Sequence, residues 1–170
     1  MVYAPRMANQ GILILTTGGT IDKNYFDALS EYQIVDSGIP ALLDEARVAL
    51  PYRLVELMRK DSLELTDADR ALIANAAREA SETRIVVAHG TDTMTETAKV
   101  LAAAVPGKTI CLTGALSPAR FAQTDAPFNL GMAFATAQVA APGVYIAMSG
   151  EVFDGLKVRK DRTAGKFVAL

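Results

Sequence analysis

Scarcity narrows what this 170-residue chain can be before any motif is read. One cysteine, Cys111, excludes an internal disulfide, and its place in the apolar run Thr109-Ile110-Cys111-Leu112 reads as a buried, inert thiol. One histidine, His89, leaves no His/Cys set for a metal centre and a single imidazole for any Ser-His-Asp or Cys-His arrangement. Basic charge is not in excess. Seventeen Lys and Arg against 19 Asp and Glu give a net charge of −2 without a basic stripe, which argues against nucleic acid or an anionic membrane as partner and favours small neutral or zwitterionic ones. Long apolar runs are missing too: Ile12 to Leu15 is too short for a signal-peptide core and nothing longer would span a bilayer, so a cytoplasmic protein is expected. Neither G-x-G-x-x-G nor a P-loop with its lysine follows that run, which disfavours a nucleotide, and no cofactor is expected.

What is present is an ordinary globular composition, 51% apolar and 21% charged, arranged as alternating strand-like and helix-like segments. Residues 1–10 read as an N-terminal extension and 11–170 as a single α/β domain. Apolar runs at Ile12–Leu15, Tyr52–Met58, Arg84–Ala88, Thr109–Thr113 and Val144–Met148 predict strands. Pro40–Leu50 predicts a helix with Pro at its first position. Thr66 caps a second, with Leu72, Ile73, Ala76, Ala77 and Ala80 on its apolar face. The spacing Thr93-Met94-Thr95-Glu96 predicts a capping box opening a third, with Met94, Ala98, Leu101 and Val105 inward. Pro127–Ala141 predicts a fourth, with Phe128, Met132, Ala135 and Val139 inward, and Glu151–Val158 a turn or hairpin around Asp154-Gly155. The alternation implies a doubly wound, mostly parallel sheet flanked by helices.

Two polar segments sit where apolar runs stop: Thr16-Thr17-Gly18-Gly19-Thr20-Ile21-Asp22 and His89-Gly90-Thr91-Asp92-Thr93-Met94-Thr95-Glu96. In an open parallel sheet, ligands bind beyond the carboxyl ends of the strands, so these two loops face one crevice. Hydroxyls dominate it. A threonine hydroxyl needs a base, which a lysine in a dry site can supply, and Lys160 follows the last predicted strand. Each residue has a plainer reading as well. Thr20 and Thr91 can cap loops, Lys160 taken alone is one more surface lysine, and His89 reads as a structural cap on its strand ahead of a general base.

The motifs Thr17-Gly18-Gly19-Thr20-Ile21 and His89-Gly90-Thr91-Asp92-Thr93-Met94, in that order, resemble the two signatures of the bacterial-type L-asparaginases. Further matches run through Asp61-Ser62-Leu63-Glu64-Leu65-Thr66, Thr113-Gly114-Ala115 with Pro118, Asp125 to Leu130, and Val152-Phe153-Asp154-Gly155 with Lys160. The resemblance implies hydrolysis of L-asparagine to L-aspartate and ammonia. It implies Thr20 as nucleophile, Tyr25 as the hydroxyl that polarises it with Tyr32 as the alternative, and Thr91 with Lys160 as the second hydroxyl-base pair. Asp92 would pair with the substrate α-ammonium and Ser62 with its α-carboxylate. The family couples an N-terminal α/β domain of this length to a smaller C-terminal one, and this sequence resembles short, single-domain members. Two departures follow: Leu63 stands where the family commonly has a polar residue, and the carboxylate that a C-terminal domain lends to a neighbouring subunit's site has no counterpart here. A homo-oligomer is expected. The alternatives are an amidase for glutamine or another small amide, a component of a larger amidotransferase, and a non-catalytic amino-acid-binding module.

Overall fold

The computed structural model describes residues 11–26 and 31–170. In chain order its regular elements are β1 (Ile12–Thr16), β2 (Lys23–Phe26), β3 (Glu31–Ile34), α1 (Ile39–Glu45), β4 (Tyr52–Glu56), α2 (Asp67–Glu79), β5 (Arg84–Ala88), α3 (Met94–Ala104), β6 (Thr109–Thr113), α4 (Ala126–Val139), β7 (Gly143–Met148), β8 (Glu151–Asp154), β9 (Val158–Asp161) and β10 (Lys166–Ala169). Single 310 turns cover Thr20–Asp22 and Ser62–Glu64.

Alternation within the strands seats them between two apolar layers. Leu13 and Leu15 of β1, Ile85 and Val87 of β5, and Ile110 and Leu112 of β6 meet Ile73, Ala77, Met94, Ala98 and Leu101 of α2 and α3 on one face. Ile12, Ile14, Val86 and Cys111 meet Ile39 and Leu43 of α1 and Leu130, Ala133 and Phe134 of α4 on the other. Strands buried on both faces are best satisfied in parallel, with helices as crossovers. The sheet order is β4-β1-β5-β6-β7-β8. Pairing is parallel from β4 through β7, and β8 runs antiparallel along the edge. Two small antiparallel ribbons, β2 with β3 and β9 with β10, lie outside it. The doubly wound, mostly parallel expectation therefore holds. Among the described residues no helix is long and apolar enough to cross a membrane.

Several local expectations are corrected. The first helix stops at Glu45 rather than Leu50, because Arg47 takes a left-handed φ of 52°. A turn does form at Asp154-Gly155, the Lys157 amide donating to the Asp154 carbonyl at 2.9 Å, but it joins β8 to β9 without pairing them; the hairpin lies at Ser149-Gly150, both at positive φ, where β8 folds back on β7. Thr66 does cap α2, exchanging hydrogen bonds with Asp69, but Leu72 faces solvent and the buried face is Ile73, Ala74 and Ala77. No capping box opens α3: Glu96 accepts from Arg70 at 3.0 Å, and the Thr93 hydroxyl donates to the Ser62 carbonyl at 2.7 Å. The phase of α4 is rotated, with Phe128 and Val139 exposed while Asn129, Leu130, Ala133 and Ala137 are buried. That helix carries no charge, so its sequence holds little to mark an outer face.

The buried face of α2 sets the cost of truncating it. Ile73→Ala should lose about 2–5 kcal/mol of stability and Leu72→Ala less than about 0.5 kcal/mol, read from urea denaturation midpoints. Comparable losses at both positions would restore the Leu72-inward face.

Candidate active site

Sheet order places the crevice. From β1 the chain crosses to β4 on one side and returns to β5 on the other, so the loops leaving β1 and β5 part at a topological switch point. The two strands end flush, Thr16 opposite Ala88, and Thr17 fastens the first loop to the second by donating its amide and its hydroxyl to the Ala88 carbonyl at 3.1 and 3.0 Å.

Glycines let these loops touch. A Cβ on Gly19, whose φ is 91°, would lie 2.6 Å from the Cα and the amide nitrogen of Gly90. One on Gly90 would lie 2.7 Å from the Cβ and Oγ of Ser62. Three backbones thus meet with no side chain between the first pair, and the residues following the two glycines are Thr20 and Thr91.

Thr91, Asp92 and Lys160 form the centre of the cluster. The Lys160 ammonium donates to Thr91 Oγ1 at 2.7 Å and to Asp92 Oδ1 at 2.8 Å, and its side chain is only 14% exposed. What carries it there is β9, where Val158, two residues earlier on the same face, is buried in the core beside Phe153 and Phe167. Arg162 stands 4.0 Å from the same Asp92 oxygen. Ser62 is fully buried, accepts from the Asp92 amide at 3.3 Å, and sits on a 310 turn capped by Asp61. Its neighbour Leu63 is 65% exposed.

Thr20 lies beside this cluster without bonding to it. It opens a 310 turn whose next residues, Ile21 and Asp22, are buried, while Thr20 itself is half-buried and its hydroxyl has no hydrogen-bond partner among the described residues. Asp22 accepts from the Ser37 hydroxyl at 2.9 Å and the Gly38 amide at 3.1 Å; burial raises its carboxyl above the ordinary range despite those two bonds. Tyr25 and Tyr32 are direct cross-strand partners in the β2–β3 ribbon, ring centroids 5.1 Å apart, and both are exposed. Neither reaches Thr20 by a hydrogen bond, so the two tyrosines are not brought into the cluster. Lys23, which opens β2, and Arg162, just past β9, join the neighbourhood of the site without a sequence signal, since a lone charged residue carries no periodicity.

Two cavities of about 350 Å³ open at the other edge of the sheet, one beside Lys108 and Tyr145 and one beside Pro51 and Arg53. Lys108 is committed to structure there, donating to the Ala77, Arg78 and Ala80 carbonyls at the end of α2. Among the described residues no group of three or more His, Cys, Asp or Glu side chains is arranged to hold a metal.

The family model for the N-terminal domain of asparaginase matches residues 11–166. The chain belongs to the asparaginase family. It is 31% identical over 163 residues to an L-asparaginase of Thermococcus kodakarensis, an alignment covering 91% of this chain and 48% of that protein. It is equally similar, at 32% over 175 residues, to one component of the glutamyl-tRNA(Gln) amidotransferase of Methanococcus maripaludis, covering 92% of this chain and 40% of the relative. The solved structure of the thermostable T. kodakarensis asparaginase superposes with a TM-score of 0.81 at 27% identity, over 94% of this chain and 51% of that one. The chain spans about half the length of the asparaginases it matches.

Within this asparaginase fold, His89 is structural. Its Nδ1 lies 2.6 Å from the Gly90 carbonyl, which requires a proton on that nitrogen, and Nε2 then accepts from the Thr97 hydroxyl at 2.8 Å. Complete burial pushes the imidazole down to about 4, outweighing the opposing Gly90 hydrogen bond, so the ring is neutral. An unfolded chain would protonate near 6.5 and the folded one near 4, so the folded state binds fewer protons between these values. Stability should be fully present above about pH 6.5 and fall by about 3 kcal/mol as pH drops to about 4. Asp22, raised by burial, acts in the opposite sense, so the comparison is with His89→Gln, which should lack the histidine's share of the pH slope in urea titrations. Identical slopes in the two proteins would show that His89 is accessible to protons.

Proposed function

We propose that this chain is an amidohydrolase that releases ammonia from the side-chain amide of L-asparagine, leaving L-aspartate. The carrying observation is the Lys160 ammonium bonded to both Thr91 Oγ1 and Asp92 Oδ1 at the strand-end crevice. In this reading Thr20 attacks the amide carbon with its unpartnered hydroxyl, and the tetrahedral intermediate collapses with loss of ammonia to an ester on Thr20. Water held by Thr91 then breaks that ester, with Lys160 moving the proton. Asp92 takes the substrate α-ammonium on Oδ2, which has no hydrogen bond among the described residues, and Ser62 directs its hydroxyl proton to the α-carboxylate. The first amides of α3, ahead of Glu96 whose amide already donates to the Thr93 carbonyl at 3.1 Å, lack intrahelical acceptors, follow Thr91 closely in the chain and suit a developing oxyanion. Tyr25 is kept as the polarising hydroxyl because it shares a ribbon face with Lys23, whose side chain points to the turn bearing Ser62.

The amidotransferase relatives favour a second reading, in which the same hydroxyl and lysine chemistry acts on glutamine or another amide within a larger assembly. Leu63, exposed beside Ser62, supports altered side-chain selectivity in either case. Association between copies accords with the stripe of Phe128, Met132, Ala135 and Val139 along α4, of which Phe128 is 63% and Val139 83% exposed. A cytoplasmic setting accords with one thiol, buried and unpaired, which burial pushes up to about 12.

Ammonia release from L-Asn, L-Gln and D-Asn should show L-Asn turnover. Thr20→Ala, Thr91→Val and Lys160→Met, each checked for folding, should reduce it by about a hundredfold or more. Turnover of L-Gln alone would move the reading to the second amide. Absence of any turnover, with L-Asn or L-Asp still raising the melting temperature, would leave a binding module.

A further inference from the structure

Lys23 joins the two halves of the crevice. Its backbone amide closes the 310 turn on the Thr20 carbonyl, and its ammonium crosses to Asp61 Oδ2 at 2.8 Å. The other oxygen of that carboxylate accepts from the Leu63 amide at 3.1 Å and so caps the turn that carries Ser62; Glu64 completes the cap by accepting from the Asp61 amide. One carboxylate therefore serves both turns. The pair is half-buried, its side chains 24% and 32% exposed, where solvent screens it less than a surface pair. Burial alone would raise the Asp61 carboxyl, but the Lys23 and Leu63 hydrogen bonds hold it below the usual range.

The geometry points to Lys23 as a positioning residue that, through Asp61, holds the Thr20 turn in register with the Ser62 turn. This role goes beyond the proposed amide hydrolysis and rests on it only for its kinetic arm. A backbone link already joins the two segments, since the Lys60 amide donates to the Thr17 carbonyl at 3.0 Å and Gly18 packs on Lys60. That contact precedes Thr20; beyond it the turn is bonded to other segments, the Ile21 carbonyl accepting from the Ala119 amide at 3.0 Å and the Asp22 carbonyl from the Val35 amide at 2.9 Å, and the tie from its far side toward the Ser62 turn is the Lys23 side chain. Misplacing a nucleophile by a fraction of an ångström costs rate far more than affinity, so loss of the tie should show in kcat ahead of KM.

The experiment compares Lys23→Met, Asp61→Asn, the double variant and Lys23→Arg by hydrogen–deuterium exchange and by steady-state kinetics. Asparagine still caps a turn, so Asp61→Asn removes the ion pair while keeping the Ser62 turn. Expected are faster exchange of the amides from Gly19 to Phe26 in both single variants, with β5 and β6 unchanged, and a fall in kcat of about tenfold. The double variant should be no worse than either single one, and Lys23→Arg should recover most of the loss. Unchanged exchange in that segment, or single-variant losses that multiply in the double, would overturn the tie. If the wild-type chain turns over no amide, the exchange measurement still decides the role of Lys23, and only the amidohydrolase reading falls.

Discussion

A side chain needs at least a methyl group's width, and the strand-end crevice has no such width to spare between its first two loops. Gly19 and Gly90 approach so closely that a Cβ on the former would fall 2.6 Å from the latter's Cα. Everything else at this edge depends on that contact. It fixes the spacing of Thr20 and Thr91, which follow the two glycines, and it seats Gly90 against Ser62. Gly114 repeats the device one strand further on, where a Cβ would meet the His89 carbonyl at 2.4 Å. Close backbone approach thus substitutes for packing in a place where the side chains are reserved for polar work.

Charge in the cluster is shared rather than paired off. Asp92 receives Lys160 and, at longer range, Arg162; Asp61 receives Lys23 and the Leu63 amide; Arg70 ties the Leu65 carbonyl to Glu96 and so links α2 to α3 beneath the loops. Each of these groups bridges two segments. The arrangement explains why the capping box expected at the start of α3 is not formed. Glu96 is worth more to a buried guanidinium than to an amide at the helix start.

The five parallel strands and their common edge were legible because apolar runs stop abruptly at polar loops, whereas β2, β3, β9 and β10, with exposed residues along them, write no such run and were not read as strands. Helix existence was legible from local start signals, such as the Thr66 cap of α2 and the proline at the first position of the helix expected from Pro40. Helix phase was legible only where the helix has a polar side. In α3, Met94, Ala98, Leu101 and Val105 are buried as the spacing implies, whereas in the uncharged α4 any phase fits the sequence and packing alone chose one. At the site, the closeness of Thr91 and Lys160 was suggested by family resemblance, not by spacing. The tie between Lys23 and Asp61 left no trace in the sequence, since two isolated charged residues in separate segments meet only after both turns are formed.

The ribbon of β9 and β10 stands outside the main sheet and is held to it by Val158, Phe153 and Phe167. Lys160 arrives with that ribbon, across 69 residues from Thr91. That separation is no greater than the 71 residues between Thr17 and Ala88 at the heart of the parallel sheet, so the ribbon and the sheet carry similar loop-closure costs. What brings the Lys160 ammonium to Thr91 and Asp92 is the apolar seat of the ribbon on the sheet. A substitution that loosens that seat, made well away from the crevice, would displace the cation at its centre.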